Sequence, residues 1–153
     1  MTELSENFDW YEVTATQHRN IDNSLPIELY QNVRLTAVWM EKVRNVLGSK
    51  SIIVSSWYRS PALNAAVGGS NTSEHTKGTA IDFVCPKFGT PVDIVKKLAN
   101  LENKIYFNQL ILEHTWVHIS FPVPPAIPKM QVLSLLSNKR YAVGITDKYG
   151  NPL

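Results

Sequence analysis

Apolar and polar positions alternate along the chain in patterns that divide it into a short series of elements. Ile27, Tyr30, Val33, Ala37, Met40, Val43 and Leu47 recur at helical spacing and make one apolar face, which predicts a helix over 27–47. Ser24 suits its cap, Pro26 its first turn, Arg44 its last turn and Gly48 its stop. The run 51–56 (SIIVSS) predicts a strand, and Ser60-Pro61 opens a short helix ending at Gly68-Gly69. Residues 68–73 have the composition of a loop. A second strand is predicted over 79–84 (TAIDFV), and Thr90-Pro91 caps a helix over 91–101. Strands over 109–113 and 116–121 are separated only by His114-Thr115, the spacing of a tight hairpin. Prolines 122, 124, 125 and 128 make 122–128 a stiff extended connector. In the C-terminal extension 129–153, residues 130–146 suggest two short strands, and residues 1–23 read as an irregular arm. Helices among neighbouring antiparallel strands predict a small single α+β domain over 1–153 with a mainly antiparallel sheet.

Composition narrows the classes of function. At 153 residues, 44% hydrophobic and 18% charged, the chain is long and apolar enough to bury a core. Its net charge is +2, with 15 basic and 13 acidic residues interspersed, so it lacks the basic field that nucleic acid calls for. It has no apolar run of the roughly 18 residues a membrane-spanning helix needs. Residues 1–12 lack a basic region followed by an apolar stretch, so no secretory signal peptide is expected. The single cysteine, Cys85, excludes an intramolecular disulfide framework and a Cys-rich zinc site. A monomer is the default.

The chemistry concentrates in Ser73-Glu74-His75-Thr76-Lys77-Gly78-Thr79-Ala80-Ile81-Asp82. His75 ends a polar loop, and Gly78 permits a sharp entry into the strand. On that strand Asp82 shares a face with the small Ala80, while Ile81 and Phe83 point into the core. Imidazole nitrogen and carboxylate oxygen are both good zinc ligands. The plain alternative is a loop histidine and an edge aspartate capping a turn. His118, between Val117 and Ile119, is either a satisfied strand histidine or a third ligand. If His114-Thr115 is the turn, Glu113 pairs with Trp116 and Ile111 with His118, so Glu113 lies on the face of His118. A carboxylate there is either a solvated hairpin end or the base that zinc hydrolysis needs. His114 and His118 also have a chelating helical spacing, but the segment favours strand over helix. Arg59, between a strand and a helix, is a surface or ion-paired arginine, or a group that binds a substrate carboxylate or steadies an oxyanion. His18 lies in the arm, and Cys85 reads as a small buried side chain.

Taken together, Ser55-x-x-x-Arg59, Asn64, Gly68-Gly69-Ser70, Ser73-x-His75-x-x-Gly78-x-Ala80-x-Asp82, Gln109-Leu110-Ile111 and Trp116-Val117-His118-Ile119-Ser120 resemble the zinc D-alanyl-D-alanine peptidase family. That family includes D,D-carboxypeptidases, D,D-dipeptidases and bacteriophage L-alanyl-D-glutamate endolysins, and hedgehog domains share its fold. The resemblance spans about residues 15–121. It implies a hedgehog-type fold with helices packed on one side of the sheet. It implies Zn2+ held by His75, Asp82 and His118, with Ser73 and Arg59 at the substrate and Glu113 as general base. Many relatives carry Glu three residues before the last ligand, where this chain has Thr115; Glu113 is closer to the hedgehog and phage-type spacing. Ile21-Asp22-Asn23-Ser24-Leu25-Pro26 is similar to a run in the phage-type subgroup. The resemblance therefore implies a metallopeptidase of peptidoglycan stem peptides from a phage or prophage. Such an endolysin would wait in the host cytoplasm and reach the wall after holin-type release, or travel with the virion. A non-catalytic zinc-containing binding or virion component on the same fold is the alternative.

Overall fold

The computed structural model describes residues 3–153. Strands β1 (Glu3–Ser5) and β2 (Phe8–Asp9) form a small ribbon that leads into α1 (Trp10–Thr14). The remaining elements are α2 (Tyr30–Val46), β3 (Ile53–Ser56), α3 (Pro61–Ala66), β4 (Ala80–Val84), α4 (Pro91–Ala99), β5 (Gln109–Leu112), β6 (Val117–Ser120), β7 (Gln131–Leu135) and β8 (Tyr141–Val143). β3 to β8 make one six-stranded sheet in the order β3-β4-β6-β5-β7-β8. Every pair in it is antiparallel except β5 with β7. The fold is α+β with a mainly antiparallel sheet.

The period of two along each strand gives the sheet two different faces. Ile81 and Phe83 of β4, Val117 and Ile119 of β6, and Leu110 and Leu112 of β5 join one core cluster. Val33, Ala37, Met40 and Val43 of α2, and Ile94, Val95 and Leu98 of α4, join the same cluster. Their partners on the strands, Asp82, His118 and Ile111, stand in one cross-strand row on the opposite face. The apolar side of the sheet is therefore sealed, and the row of Asp82, His118 and Ile111 lines a cleft on the other side.

Local signals account for most of the boundaries. Ser60 accepts the Leu63 amide at the start of α3, and Thr90 with Asp93 makes a reciprocal capping box at α4. α2 stops where Gly48 takes a left-handed φ of 74°. Its start differs from the expected one. Residues Ile27–Leu29 form a 3-10 turn without a side-chain cap, and Ile27 is 80% exposed. Ser24 bonds instead to the Asp22 carboxylate, a local contact that competes with capping.

The N-terminal arm is also more ordered than its composition suggests; residues 1 and 2 of it lie outside the described residues. Phe8 and Val13 are buried in the core, and Phe8 meets Trp57 edge-on at 6.1 Å. Asp9 and Glu12 form a capping box around α1. Buried Asn23 ties this arm to the site: its Nδ2 donates to the Thr14 and Tyr58 carbonyls, and its Oδ1 accepts the Ser60 amide. Residues 122–128 are not simply extended, because the Ala126 amide folds back to the Val123 carbonyl at 2.9 Å.

Candidate metal centre and cleft

The hairpin geometry anticipated from sequence is present. Ile111 pairs with His118, and the Glu113 amide donates to the Trp116 carbonyl at 3.1 Å. β4 lies on the other side of β6, where Asp82 pairs with His118. His75 arrives from a different element, a 3-10 turn over Glu74–Lys77. Ser73 caps that turn, its Oγ accepting the His75 amide at 3.3 Å. Gly78 ends the turn at φ 75°, and a β-carbon there would meet Val33 at 2.8 Å. Trp57 Nε1 donates to the Gly78 carbonyl at 2.9 Å, fixing the path into β4.

Three side chains converge as a result. His75, Asp82 and His118 each offer a ligand atom, and these atoms all lie within 4.8 Å of one another. His75 Nε2 is 3.2 Å from Asp82 Oδ1, and His118 Nδ1 is 2.9 Å from the same oxygen. His75 Nδ1 lies 2.6 Å from the Trp57 carbonyl. A carbonyl only accepts, so Nδ1 carries the ring proton and the neutral ring turns the Nε2 lone pair toward Asp82. Two acceptors then face each other in a buried place. Burial, the dominant effect, holds the His75 pKa below its ordinary value against the pull of Asp82, so the imidazolium form is no easy remedy. A cation between the ligand atoms satisfies all three groups, and the carbonyl behind His75 is the outer support that such ligands need. Burial opposes the ionisation of Asp82, but other effects, the hydrogen bond from His118 foremost among them, outweigh it and keep the carboxyl well below the usual range.

Arg59 is drawn to the centre by several contacts. Its Nη2 pairs with Asp82 Oδ2 at 3.1 Å, its Nε donates to Ser56 Oγ at 3.1 Å, and its Nη1 reaches Asn64 Oδ1 at 3.4 Å. The guanidinium thus holds the second oxygen of Asp82 while the first faces the histidines. The sequence offered Arg59 a role toward substrate or an ion pair; the ion pair is present, and the side chain also lines the cleft.

The cleft over this floor has a volume of about 860 Å³, and Arg59, Ser73, His75, Asp82, Glu113 and His118 all line it. Glu113 is only 8% exposed. Burial pushes its pKa up, with the Asp82 charge adding to the rise and His118 offsetting part of it. His114 stands apart on the hairpin turn, with Nε2 at 3.2 Å from the Leu135 carbonyl, and does not join the cluster. Cys85 is buried behind the sheet, as its small size suggests.

Two participants had no signal in the spacing. The Trp57 carbonyl is backbone, which no residue pattern marks. Tyr141 of β8 donates to Glu113 Oε1 at 3.4 Å from a segment whose only sequence clue was weak strand character. A family model described as Peptidase M15 matches residues 7–120. No curated protein matches the chain.

Proposed function

The chain belongs to the peptidase M15 family, and from that premise we propose a zinc-dependent peptidase that cleaves peptidoglycan stem peptides, as a D,D-carboxypeptidase or an L-alanyl-D-glutamate endopeptidase. The observation that carries the metal is the convergence of His75 Nε2 and His118 Nδ1 on Asp82 Oδ1, at 3.2 Å and 2.9 Å. Two nitrogens and one carboxylate oxygen are a ligand set suited to catalytic zinc with an open position. Zinc bound there supplies a Lewis acid that acidifies water and polarises a carbonyl.

The remaining steps fall to the chain's own groups. Glu113 takes a proton from the attacking water and returns it to the leaving amine. Its raised pKa suits a carboxylate that must both accept and release a proton. Arg59 keeps Asp82 oriented and, with Ser73, presents donors to a substrate carboxylate along the cleft wall. A cleft of about 860 Å³ accommodates a short peptide. The Ile21–Pro26 run supports a phage or prophage setting, with the wall as the place of action after release of the enzyme.

The test is direct. Wild-type protein is incubated with purified sacculi with and without a chelator, and new free amines are counted while mass spectrometry of the muropeptides identifies the bond. Expected are zinc bound in wild type, chelator-sensitive release, and loss of both zinc and release in His75→Ala. Wild-type protein without zinc sinks the proposal. Zinc without any release supports a non-catalytic wall-binding component instead.

A further inference from the structure

Tyr141 lies outside the residues matched by the family model, 7–120, yet its hydroxyl touches the proton acceptor of the proposed reaction. The sheet explains how. β7 pairs with β5 in parallel register, Leu112 beside Ser134, so Glu113 falls next to Leu135 one residue further on. Leu135 in turn pairs with Tyr141 of β8. Residues in one such row share a face. The tyrosine ring therefore reaches back across Leu135, on the cleft side of the sheet, and places its hydroxyl 3.4 Å from Glu113 Oε1.

The hairpin carrying Tyr141 is firmly held. Leu136 donates to the Arg140 carbonyl at 2.8 Å, and Gly144 donates to the Val132 carbonyl at 2.8 Å. Ser134, on the opposite face, donates to the Gly144 carbonyl at 2.8 Å and accepts the Thr146 amide at 3.0 Å. A side chain on such a support reaches its partner with little loss of freedom, although Tyr141 is 49% exposed.

We infer that Tyr141 is a positioning residue: its phenol takes Oε1 of Glu113 and turns Oε2 toward the cluster of His75, Asp82 and His118. The inference rests on Glu113 being the proton acceptor. A carboxylate with one oxygen engaged presents the other in a defined direction, whereas a free one rotates about its last bond. Tyr141→Phe keeps the ring and the packing and removes only the hydroxyl.

The experiment follows kcat and KM on a purified muropeptide, with zinc content and melting temperature as controls. Tyr141→Phe is expected to lower kcat roughly tenfold, the scale of one hydrogen bond to a charged group, with KM and zinc content unchanged and the protein still folded at the assay temperature. In a Glu113→Asp background, where the carboxylate is drawn back by one methylene, Tyr141→Phe should have no further effect. If wild type cleaves, Glu113→Gln does not, and Tyr141→Phe keeps full kcat, the positioning role is overturned while the peptidase reading stands. A rise in KM with kcat intact makes Tyr141 a substrate contact and also overturns it. A wild type that cleaves nothing, or a Glu113→Gln that cleaves at the wild-type rate, overturns the reading beneath it.

Discussion

Glu113→Gln should make the metal-free protein more stable and the enzyme inactive. Glu113 is 8% exposed, and its carboxylate receives one hydrogen bond, a long one at 3.4 Å from Tyr141. Burial, with the Asp82 charge added, pushes its pKa above the ordinary value. A carboxylate raised in this way folds most favourably in its protonated form. Its stabilising share is fully present below the unfolded pKa, about 4.3, and is lost as pH rises through the folded value. Glutamine has nearly the same shape, can still accept from Tyr141, and carries no charge. The variant should therefore match wild type near pH 4 and exceed it near pH 8. Relief of one poorly compensated site residue is worth about 1 kcal/mol, which in a chain of this size moves the melting temperature up by roughly 2–4 °C. The assay is paired thermal denaturation at the two pH values, both in chelator so that no cation compensates the charge. Hydrolysis of muropeptides by the metal-loaded variant should fall by about 10²–10⁴-fold. A variant that melts below wild type near pH 8 refutes the buried-charge reasoning, and one that hydrolyses normally refutes the proton transfer.

Two further changes probe the supports of the site. Gly78→Ala places a β-carbon at φ 75° and 2.8 Å from Val33, so it should lower stability by at least about 1–2 kcal/mol, read by chemical denaturation; an unchanged midpoint contradicts the tight turn. Arg59→Ala frees Asp82 Oδ2 from its 3.1 Å partner and should weaken zinc binding by about 10–100-fold in a competition titration, whereas undiminished affinity would assign Arg59 to substrate alone.

Much of this arrangement was written locally. The periodic face of α2, the Thr90–Asp93 box before α4 and the tight turn after Glu113 depend on neighbours within a few residues. The same holds for the left-handed Gly78 and for the alternation that puts Asp82 and His118 on one face and Ile81 and Ile119 on the other. Side-chain period, turn length and capping chemistry are properties of short segments, so they survive without knowledge of the rest. Even the pairing of Ile111 with His118 follows from turn length alone.

Other features required the assembled chain. The arm looked irregular because Phe8 and Val13 are isolated apolar residues, and only a core built by α2 and the sheet gives them a place to be buried. His75 finds its proton acceptor in the Trp57 carbonyl 18 residues back, which composition cannot mark. Tyr141 meets Glu113 because β7 enters beside β5 in parallel and β8 folds onto it. Strand order is decided by which edges remain unpaired and which faces remain unburied once the other elements have packed. That is a property of the whole sheet: the sequence alone determined which side chains could bind a metal and that Asp82 and His118 share a face, and tertiary pairing decided which groups surround them.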